Sequence, residues 1–295
     1  MFVISTFETL TGLPELVGFV FIFFLGAMIG SFLNVVIHRV PARESIVFPS
    51  SACPKCKSRI KFFDNLPILS WLILGGKCRA CKSLISPRYP AVELLIALLF
   101  ILVFWKIEFN AFLPVALIFV SCVIALIFID AEEMILPNKI TYPLFLFALI
   151  VRLISPIFFG VSLFADLYIF PLNNLADYPL WLVSIAGGVL GAAVRGGSLW
   201  LVGQIWERLR GIEAMGLGDV KMMFGVGALL GWQLALFSIF LGALTGAIAG
   251  FFVIARQKEK DFQTQMPFGV FLGIGSIIAL LFGEEIIKWY FKVFF

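Results

Sequence analysis

The stretch VALIFVSCVIALIFIDAEEMILPN, residues 115–138, decides the fold expected for this chain. Its first 15 residues carry no charge, and the first charged side chain, Asp130, comes where the apolar run ends. An apolar run of about 20 residues is long enough to cross a bilayer as a helix. We therefore expect a transmembrane helix that carries a carboxylate at one end.

The rest of the chain has the same character. Of its 295 residues 61% are hydrophobic and only 14% are charged, with a mean hydropathy of +1.06, whereas a soluble domain is about 25% charged. Apolar runs long enough to cross, or nearly cross, a membrane fall at residues 16–37, 90–107, 111–130, 139–159, 180–205, 217–231, 232–254 and 268–290. The sequence predicts an all-α polytopic membrane protein with about eight transmembrane helices, and it shows no nucleic-acid signature.

The basic residues indicate how these spans are oriented. Residues 39–88 carry 10 of the 22 Lys and Arg residues against two acidic ones, Glu44 and Asp64. The positive-inside rule places this segment, between the first two spans, in the cytoplasm. Alternation from there places the loop around Asp166 and Asp177 on the other side. The fifth and sixth spans are then joined in the cytoplasm.

Two Cys-x-x-Cys pairs, CPKC at residues 53–56 and CRAC at residues 78–81, lie in this polar segment. Four thiolates at such spacing suit tetrahedral zinc in a ribbon-like loop, and a cytosolic location disfavours disulfides. We expect one structural zinc ion to hold together a loop too small to build its own core, with a redox or catalytic thiol role as the alternative. The expected ligands are Cys53, Cys56, Cys78 and Cys81. Cys122, in the third span, is expected to be an inert buried thiol.

Asp130 and Asp219, the latter in AMGLGDVKMM at residues 214–223, are carboxylates at the same predicted membrane level. An Asp inside hydrocarbon costs roughly 2.5–3.5 kcal/mol, so such a group needs a reason. If the two approach each other, they cannot both ionise comfortably, and the pair shares a proton and can activate water. The alternative is that each one caps a helix or meets a lipid headgroup.

Several neighbours bear on this choice. Gly216 and Gly218 would let a substrate backbone come close to Asp219, and Lys221 could orient it.

The chain has one histidine, His38, which argues against a His-rich metalloprotease site or a Ser-His pair in the later spans. Arg195 lies within an apolar run, where an Arg usually has a partner or a water-filled cavity, and the sequence does not name that partner.

Collinear motifs extend over about two thirds of the chain. They are GSFLNVVIHRVP (residues 30–41), the two cysteine pairs, DNLPILSWL (64–72), ISPRYPAVELL (85–95), DAEEMILPN (130–138) and GIEAMGLGDVK (211–221). At these residues the chain strongly resembles the type IV prepilin peptidases, which are bifunctional leader peptidases and amino-terminal methyltransferases.

The resemblance implies that Asp130 and Asp219 are the catalytic pair of an aspartic protease. Asp219 lies in the G-x-G-D signature shared with presenilin-like intramembrane proteases. The family's first motif often holds three Asp residues, and here the other two positions are Glu132 and Asn138. A further departure is MPFGV at residues 266–270, where the family tends to have P-F-G-P.

The resemblance also implies the reaction. The substrate would be a prepilin or pseudopilin whose short basic leader is cut after Gly at the cytoplasmic face of a bacterial inner membrane. The new amino terminus would then be methylated from S-adenosylmethionine. No residue of the chain is assigned to the methyl donor, because the sequence carries no glycine-rich fingerprint for that cofactor beyond the weak pair Gly75 and Gly76.

This interpretation divides the chain into three parts: a first transmembrane helix at residues 1–37, a zinc-binding loop associated with methyl transfer at 38–89, and a membrane-embedded peptidase domain at 90–295. Two other functions remain open. In a proton-coupled transporter, the carboxylates and Arg195 would form the relay, and inverted repeats or paired broken spans would be expected. In a non-catalytic membrane scaffold, the zinc loop would bind a partner, and both carboxylates would tolerate replacement by Asn.

Overall fold

The computed structural model describes residues 7–159, 179–211, 216–256 and 266–294, and their regular secondary structure is helical apart from two isolated β-bridges. The helices are α1 (Phe7–Thr11), α2 (Glu15–Arg39), α3 (Leu69–Ile73), α4 (Arg88–Ile107), α5 (Leu113–Glu133), α6 (Asn138–Phe159), α7 (Leu180–Arg210), α8 (Leu217–Arg256) and α9 (Phe268–Phe294), with a 3-10 turn at Phe62–Asn65. Seven are long and apolar enough to cross a membrane. The predicted all-α polytopic fold is confirmed. The predicted loop around Asp166 and Asp177 lies outside the described residues.

The sixth and seventh predicted spans form one element, α8, which is interrupted at Gly231. The backbone there has φ 80° and ψ 175°, a conformation that is essentially restricted to glycine. Both ends of α8 approach the start of α9. A Cβ added at Gly269 would lie 2.9 Å from the Asp219 carboxylate, and one added at Gly250 would lie 3.5 Å from the sulfur of Met266. The helix therefore reverses at Gly231, and its two halves correspond to the two predicted spans.

The interruption at Gly231 is stabilised by Arg152 of α6, which is completely buried. Its Nε donates to the carbonyl oxygen of Ala228 at 3.0 Å, and its Nη2 donates to that of Leu229 at 2.8 Å. These carbonyls belong to the last turn before the break, where helical acceptors lose their backbone partners. The sequence analysis missed Arg152, although a charged residue in an otherwise apolar run was the signal that could have found it.

Close packing of glycines brings α7 against the first half of α8. A Cβ added at Gly191 would overlap the carbonyl oxygen of Gly227, and the reverse also holds, so the two backbones touch. Arg195 lies beside this crossing and is completely buried. Its Nη2 donates to Ser276 Oγ of α9 at 2.6 Å. Ser276 is thus a partner of Arg195 that the sequence alone did not identify.

The chain divides into two compact units, Met1–Ser121 and Cys122–Phe295. In the first unit α4 packs on α2, where a Cβ added at Gly26 or Gly30 would lie 2.7 Å from the α4 backbone. Helix α4 therefore groups with α2, although the predicted boundary at residue 90 assigned it to the peptidase domain. The assignment of functions to these parts stays a prediction.

Candidate active site

Asp130 and Asp219 lie together in the second unit. Asp130 is in the last turn of α5 and Asp219 is the third residue of α8, and their exposed fractions are only 5% and 8%. A Cβ added at Gly269, the second residue of α9, would lie 2.8 Å from Asp130 Oδ2 and 2.9 Å from Asp219 Oδ1. One oxygen of each carboxylate thus borders the same small space, and three helix ends meet there.

The two carboxylates have different hydrogen-bond partners. Asp130 Oδ2 accepts a hydrogen bond from the backbone N–H of Val270 at 3.1 Å. Asp219 Oδ1 is buried and has no hydrogen-bond partner among the described residues. An ionised carboxylate is stabilised by a donor, whereas an oxygen without one is better suited to carry a proton. The geometry therefore favours a singly protonated pair, with the negative charge on Asp130.

The glycines near Asp219 have different surroundings. A Cβ added at Gly218 would lie 2.9 Å from Cβ of Leu136, so this glycine is needed for close packing. At Gly216 the nearest atom to an added Cβ is Asp219 Oδ2, at 3.6 Å, and the Asp219 amide donates to the Gly216 carbonyl at 3.1 Å. An added Cβ at Gly216 would thus be in ordinary van der Waals contact with the carboxylate, and the role of this glycine in admitting a substrate backbone stays a prediction.

Lys221 is engaged away from Asp219. Its ammonium group donates to Asn138 Oδ1 at 3.1 Å and lies 5.5 Å from the centre of the Tyr142 ring. These contacts tie the start of α8 to the start of α6. Lys221 can therefore orient Asp219 by fixing the first turn of the helix rather than by touching the carboxylate.

The four predicted cysteine ligands cluster in the first unit. Their sulfur atoms all lie within 4.8 Å of one another, and those of Cys53 and Cys81 are 3.8 Å apart. Tetrahedral zinc with Zn–S bonds of about 2.3 Å requires sulfurs roughly 3.8 Å apart, so the cluster fits such an ion. The backbone amides of Cys56 and Lys55 lower the pKa of the Cys53 thiol to about 6, which favours the thiolate that a metal needs.

Known proteins with similar sequences identify the family of this chain. The sequence pattern of the type IV leader peptidase family matches residues 117–251, which include both aspartates, and that of the bacterial peptidase A24 N-terminal domain matches residues 24–107. A prepilin leader peptidase/N-methyltransferase of Aeromonas salmonicida is 36% identical over 96% of this chain and 97% of its own length. The chain belongs to the type IV leader peptidase family. Proteins with the same name from Pseudomonas aeruginosa (36% identical, 91% of each chain) and Legionella pneumophila (30% identical, 89% of this chain and 90% of the other) agree. No solved structure matches the chain.

Membership of the leader peptidase family gives the departure at MPFGV a structural meaning. Proline at residue 270 would have no backbone N–H, whereas Val270 has one and uses it to contact Asp130. The sequence analysis noticed this position but missed both Gly269 and the Val270 amide as parts of the site. The glycine could have been suspected from its place in the motif, but its carboxylate neighbours are more than 45 residues away in sequence.

The loop of this family member that bears the four cysteines contains a short repeat that the sequence analysis also missed. Both cysteine pairs belong to the pattern C-x-x-C-K-S-x-I, at residues 53–60 and 78–85. In each copy the first cysteine's amide donates to the serine's carbonyl, and the lysine has positive φ. Ser58 Oγ lies 2.9 Å from the Cys56 sulfur, and Ser83 Oγ lies 3.1 Å from that of Cys81. The two halves of the cluster are thus equivalent knuckles.

Proposed function

We propose that this chain is a prepilin leader peptidase and N-methyltransferase, with Asp130 and Asp219 as its catalytic pair. The observation that carries the proposal is the approach of the two buried carboxylates to the same point beside Gly269. The names of the relatives supply the substrate class and the two activities. The substrates are prepilins or pseudopilins, and their short basic leader is cut after Gly.

The hydrogen bonds suggest how the two carboxylates divide the work. Asp130, stabilised as the anion by the Val270 amide, takes a proton from the water that attacks the scissile carbonyl carbon. Asp219, protonated on the oxygen that has no other described partner, donates to the carbonyl oxygen as negative charge develops there. When the C–N bond breaks, the proton held by Asp130 passes to the leaving nitrogen, and Asp219 recovers its own.

The proposed location is the cytoplasmic face of a bacterial inner membrane. Residues 39–88 carry 10 of the 22 Lys and Arg residues, which supports a cytoplasmic position for this segment. Asp130 is at the end of α5 and Asp219 at the start of α8, which supports a position of the pair at a membrane edge rather than at the midplane. A substrate whose leader ends just before an apolar helix would present its cleavage site at that depth.

The methyl-transfer activity is proposed for the first unit. The cysteine cluster would hold structural Zn²⁺, which fixes the fold of the loop. S-adenosylmethionine would supply the methyl group to the new amino terminus. The binding residues for this donor are not assigned.

The direct test is cleavage of a purified model prepilin by the protein reconstituted in lipid, with product masses recorded with and without S-adenosylmethionine. We expect a shortened product, and a further methyl-sized gain in mass when the donor is present. A mature product that never gains this mass would leave a peptidase without methylation. No cutting by the folded protein would remove the proposal.

Replacing Val270 by Pro is expected to leave kcat for cleavage nearly unchanged. The change removes the N–H that contacts Asp130, but it introduces the residue that the family tends to have at this position, so this hydrogen bond should not be essential for cleavage. Proline is tolerated in the first turn of a helix, where backbone N–H groups have no intrahelical acceptor, so the fold of α9 should persist. Steady-state kinetics compare this variant with Val270→Ala, which keeps the amide. A large loss in Val270→Pro alone would show that this chain depends on the donor.

Cys78→Ser is expected to remove the bound metal and to reduce methylation much more than cleavage. Loss of one thiolate lowers the affinity of the cluster for zinc, and the loop has little core of its own. Metal content by mass spectrometry and the two product masses report the effects separately, with Cys122→Ser as a matched thiol control in α5. Full methylation by a metal-free variant would contradict the structural role.

A further inference from the structure

The loop between α2 and α4 exposes a regular apolar ridge. From the 3-10 turn through α3, the five ridge residues Phe63, Leu66, Leu69, Leu72 and Ile73 have exposed fractions of 55%, 44%, 47%, 60% and 77%. The first four recur at every third position, although the chain is extended at Leu66, between the 3-10 turn and α3. An exposed patch of large apolar side chains marks a surface that meets another apolar phase. This stretch includes the DNLPILSWL motif, to which the proposed catalysis gives no role.

A buried carboxylate fixes the depth of this ridge. The backbone N–H of Ile68, just before α3, donates to Glu93 Oε2 at 2.7 Å. Glu93 is the sixth residue of α4, about 7.5 Å along the helix axis from its start, and it is only 8% exposed. The start of α3 is thus level with the second turn of α4, a helix that is long and apolar enough to cross a membrane.

The connection between Glu93 and the ridge is held under strain. Ile68 has φ 62° and ψ −53°, a conformation that a β-branched residue rarely adopts. Such a conformation persists only where surrounding contacts impose it. The hydrogen bond to Glu93 is one such contact, and it ties the residue just before α3 to α4.

The charges around the ridge identify what it meets. Residues 39–88 carry 10 basic residues, and of the two acidic ones Asp64 is already paired with Arg79 at 2.6 Å, which lowers the pKa of the Asp64 carboxyl. The Lys61 ammonium lies 5.6 Å from the centre of the Phe63 ring, at the beginning of the ridge. A combination of apolar side chains and excess positive charge is typical of segments that lie in an anionic membrane surface.

We propose that residues 62–73 form an interfacial element, with the five ridge residues inserted at the boundary between headgroups and acyl chains of the protein's own bilayer. Its partner is a lipid surface with anionic headgroups, which the neighbouring lysines and arginines recognise. The element anchors the loop that bears the four cysteines to the membrane at a third point, besides its chain connections to α2 and α4. This inference does not depend on the proposed catalytic activity.

A photoreactive phenylalanine analogue at position 72 tests this arrangement in the full-length protein. The protein is reconstituted in vesicles of phosphatidylcholine alone or with phosphatidylglycerol, and adducts are identified by mass. We expect lipid adducts at position 72 several-fold above those of the same probe at Lys55, an exposed residue of the first zinc knuckle. Their yield should rise with phosphatidylglycerol and fall at high salt.

Other outcomes overturn the inference. Adducts with a second copy of the chain, or with an added prepilin, would show that the ridge is a protein-docking surface. Equal lipid labelling at positions 72 and 55, or no effect of the anionic lipid, would also reject it. With the probe moved to Leu69, Ile73→Asp should reduce lipid adducts several-fold while Ile73→Leu leaves them unchanged, and both variants should keep their bound metal as a sign that the loop is folded.

Discussion

Asp219→Asn is expected to abolish prepilin cleavage, with a loss of at least about 10²- to 10⁴-fold, and Asp130→Asn should do the same. Asn has nearly the same shape as Asp but cannot release or accept the proton that hydrolysis moves. Because each carboxylate performs a different part of that transfer, neither can replace the other. Neither substitution introduces a clash, and both remove a buried charge or acid, so the fold should be retained. Cleavage rates measured by product mass in lipid give the result.

Glu133→Gln is the matched control for these two variants. It removes an exposed carboxylate three positions from Asp130, in the same motif, and should leave the rate unchanged. Normal cutting by either Asn variant would remove the pair from the mechanism. If both Asn variants retained full function, that result would favour the scaffold hypothesis. If the parent protein had no peptidase activity and the Asn variants lost proton movement, that result would favour the transporter.

Gly269→Ala is expected to lower cleavage by roughly 100-fold, although it adds a single methyl group. The added Cβ would lie 2.8 Å from Asp130 Oδ2 and 2.9 Å from Asp219 Oδ1, closer than real Cβ contacts allow, and it would also press on Leu136 at 3.0 Å. The carboxylates would have to separate, and displacement of catalytic groups by about 1 Å can cost 10²-fold in rate. We expect the effect in kcat, because the reacting groups are displaced rather than the substrate-binding surface.

Gly197→Ala provides the comparison, because a Cβ at that position in α7 meets nothing within 4 Å. It should leave both the rate and the thermal unfolding temperature nearly unchanged. Gly269→Ala should unfold at a temperature close to that of the parent protein while losing activity. Equal rates for the two variants would mean that the carboxylates do not need their observed spacing for catalysis.

The parts of the site that the sequence predicted are those with strong local signals. Asp130 and Asp219 each stand at the end of a long apolar run, where a charge is conspicuous, and the paired cysteines have a spacing that few other structures use. Gly269 and the Val270 amide could not be found in this way, because their importance comes from neighbours on α5 and α8. A glycine's closeness to a carboxylate is a property of tertiary packing.

The transmembrane spans were also predicted from a strong local signal, the apolar run. The point at which one span ends and the next begins has no such signal. Hydropathy marks a stretch as apolar but does not say where a helix reverses, so only Gly231 and Trp232 hinted at the division of α8. The structure adds the physical cause, since a glycine with φ 80° interrupts the helix and a guanidinium from α6 meets the freed carbonyls. The two hydrogen bonds link Arg152 to carbonyl groups that lie 76 and 77 positions later in the sequence.

Arg152 also constrains the biosynthesis of the protein. Its acceptors, Ala228 and Leu229, are synthesised later, so the cation must enter the membrane before the carbonyls that will satisfy it exist. Placing an Arg at the centre of a single helix costs about 2.5–3.5 kcal/mol on insertion scales. Stable integration of α6 is therefore coupled to completion of the hairpin at Gly231, and α6 should be released from the bilayer more easily in a nascent chain that is truncated between them.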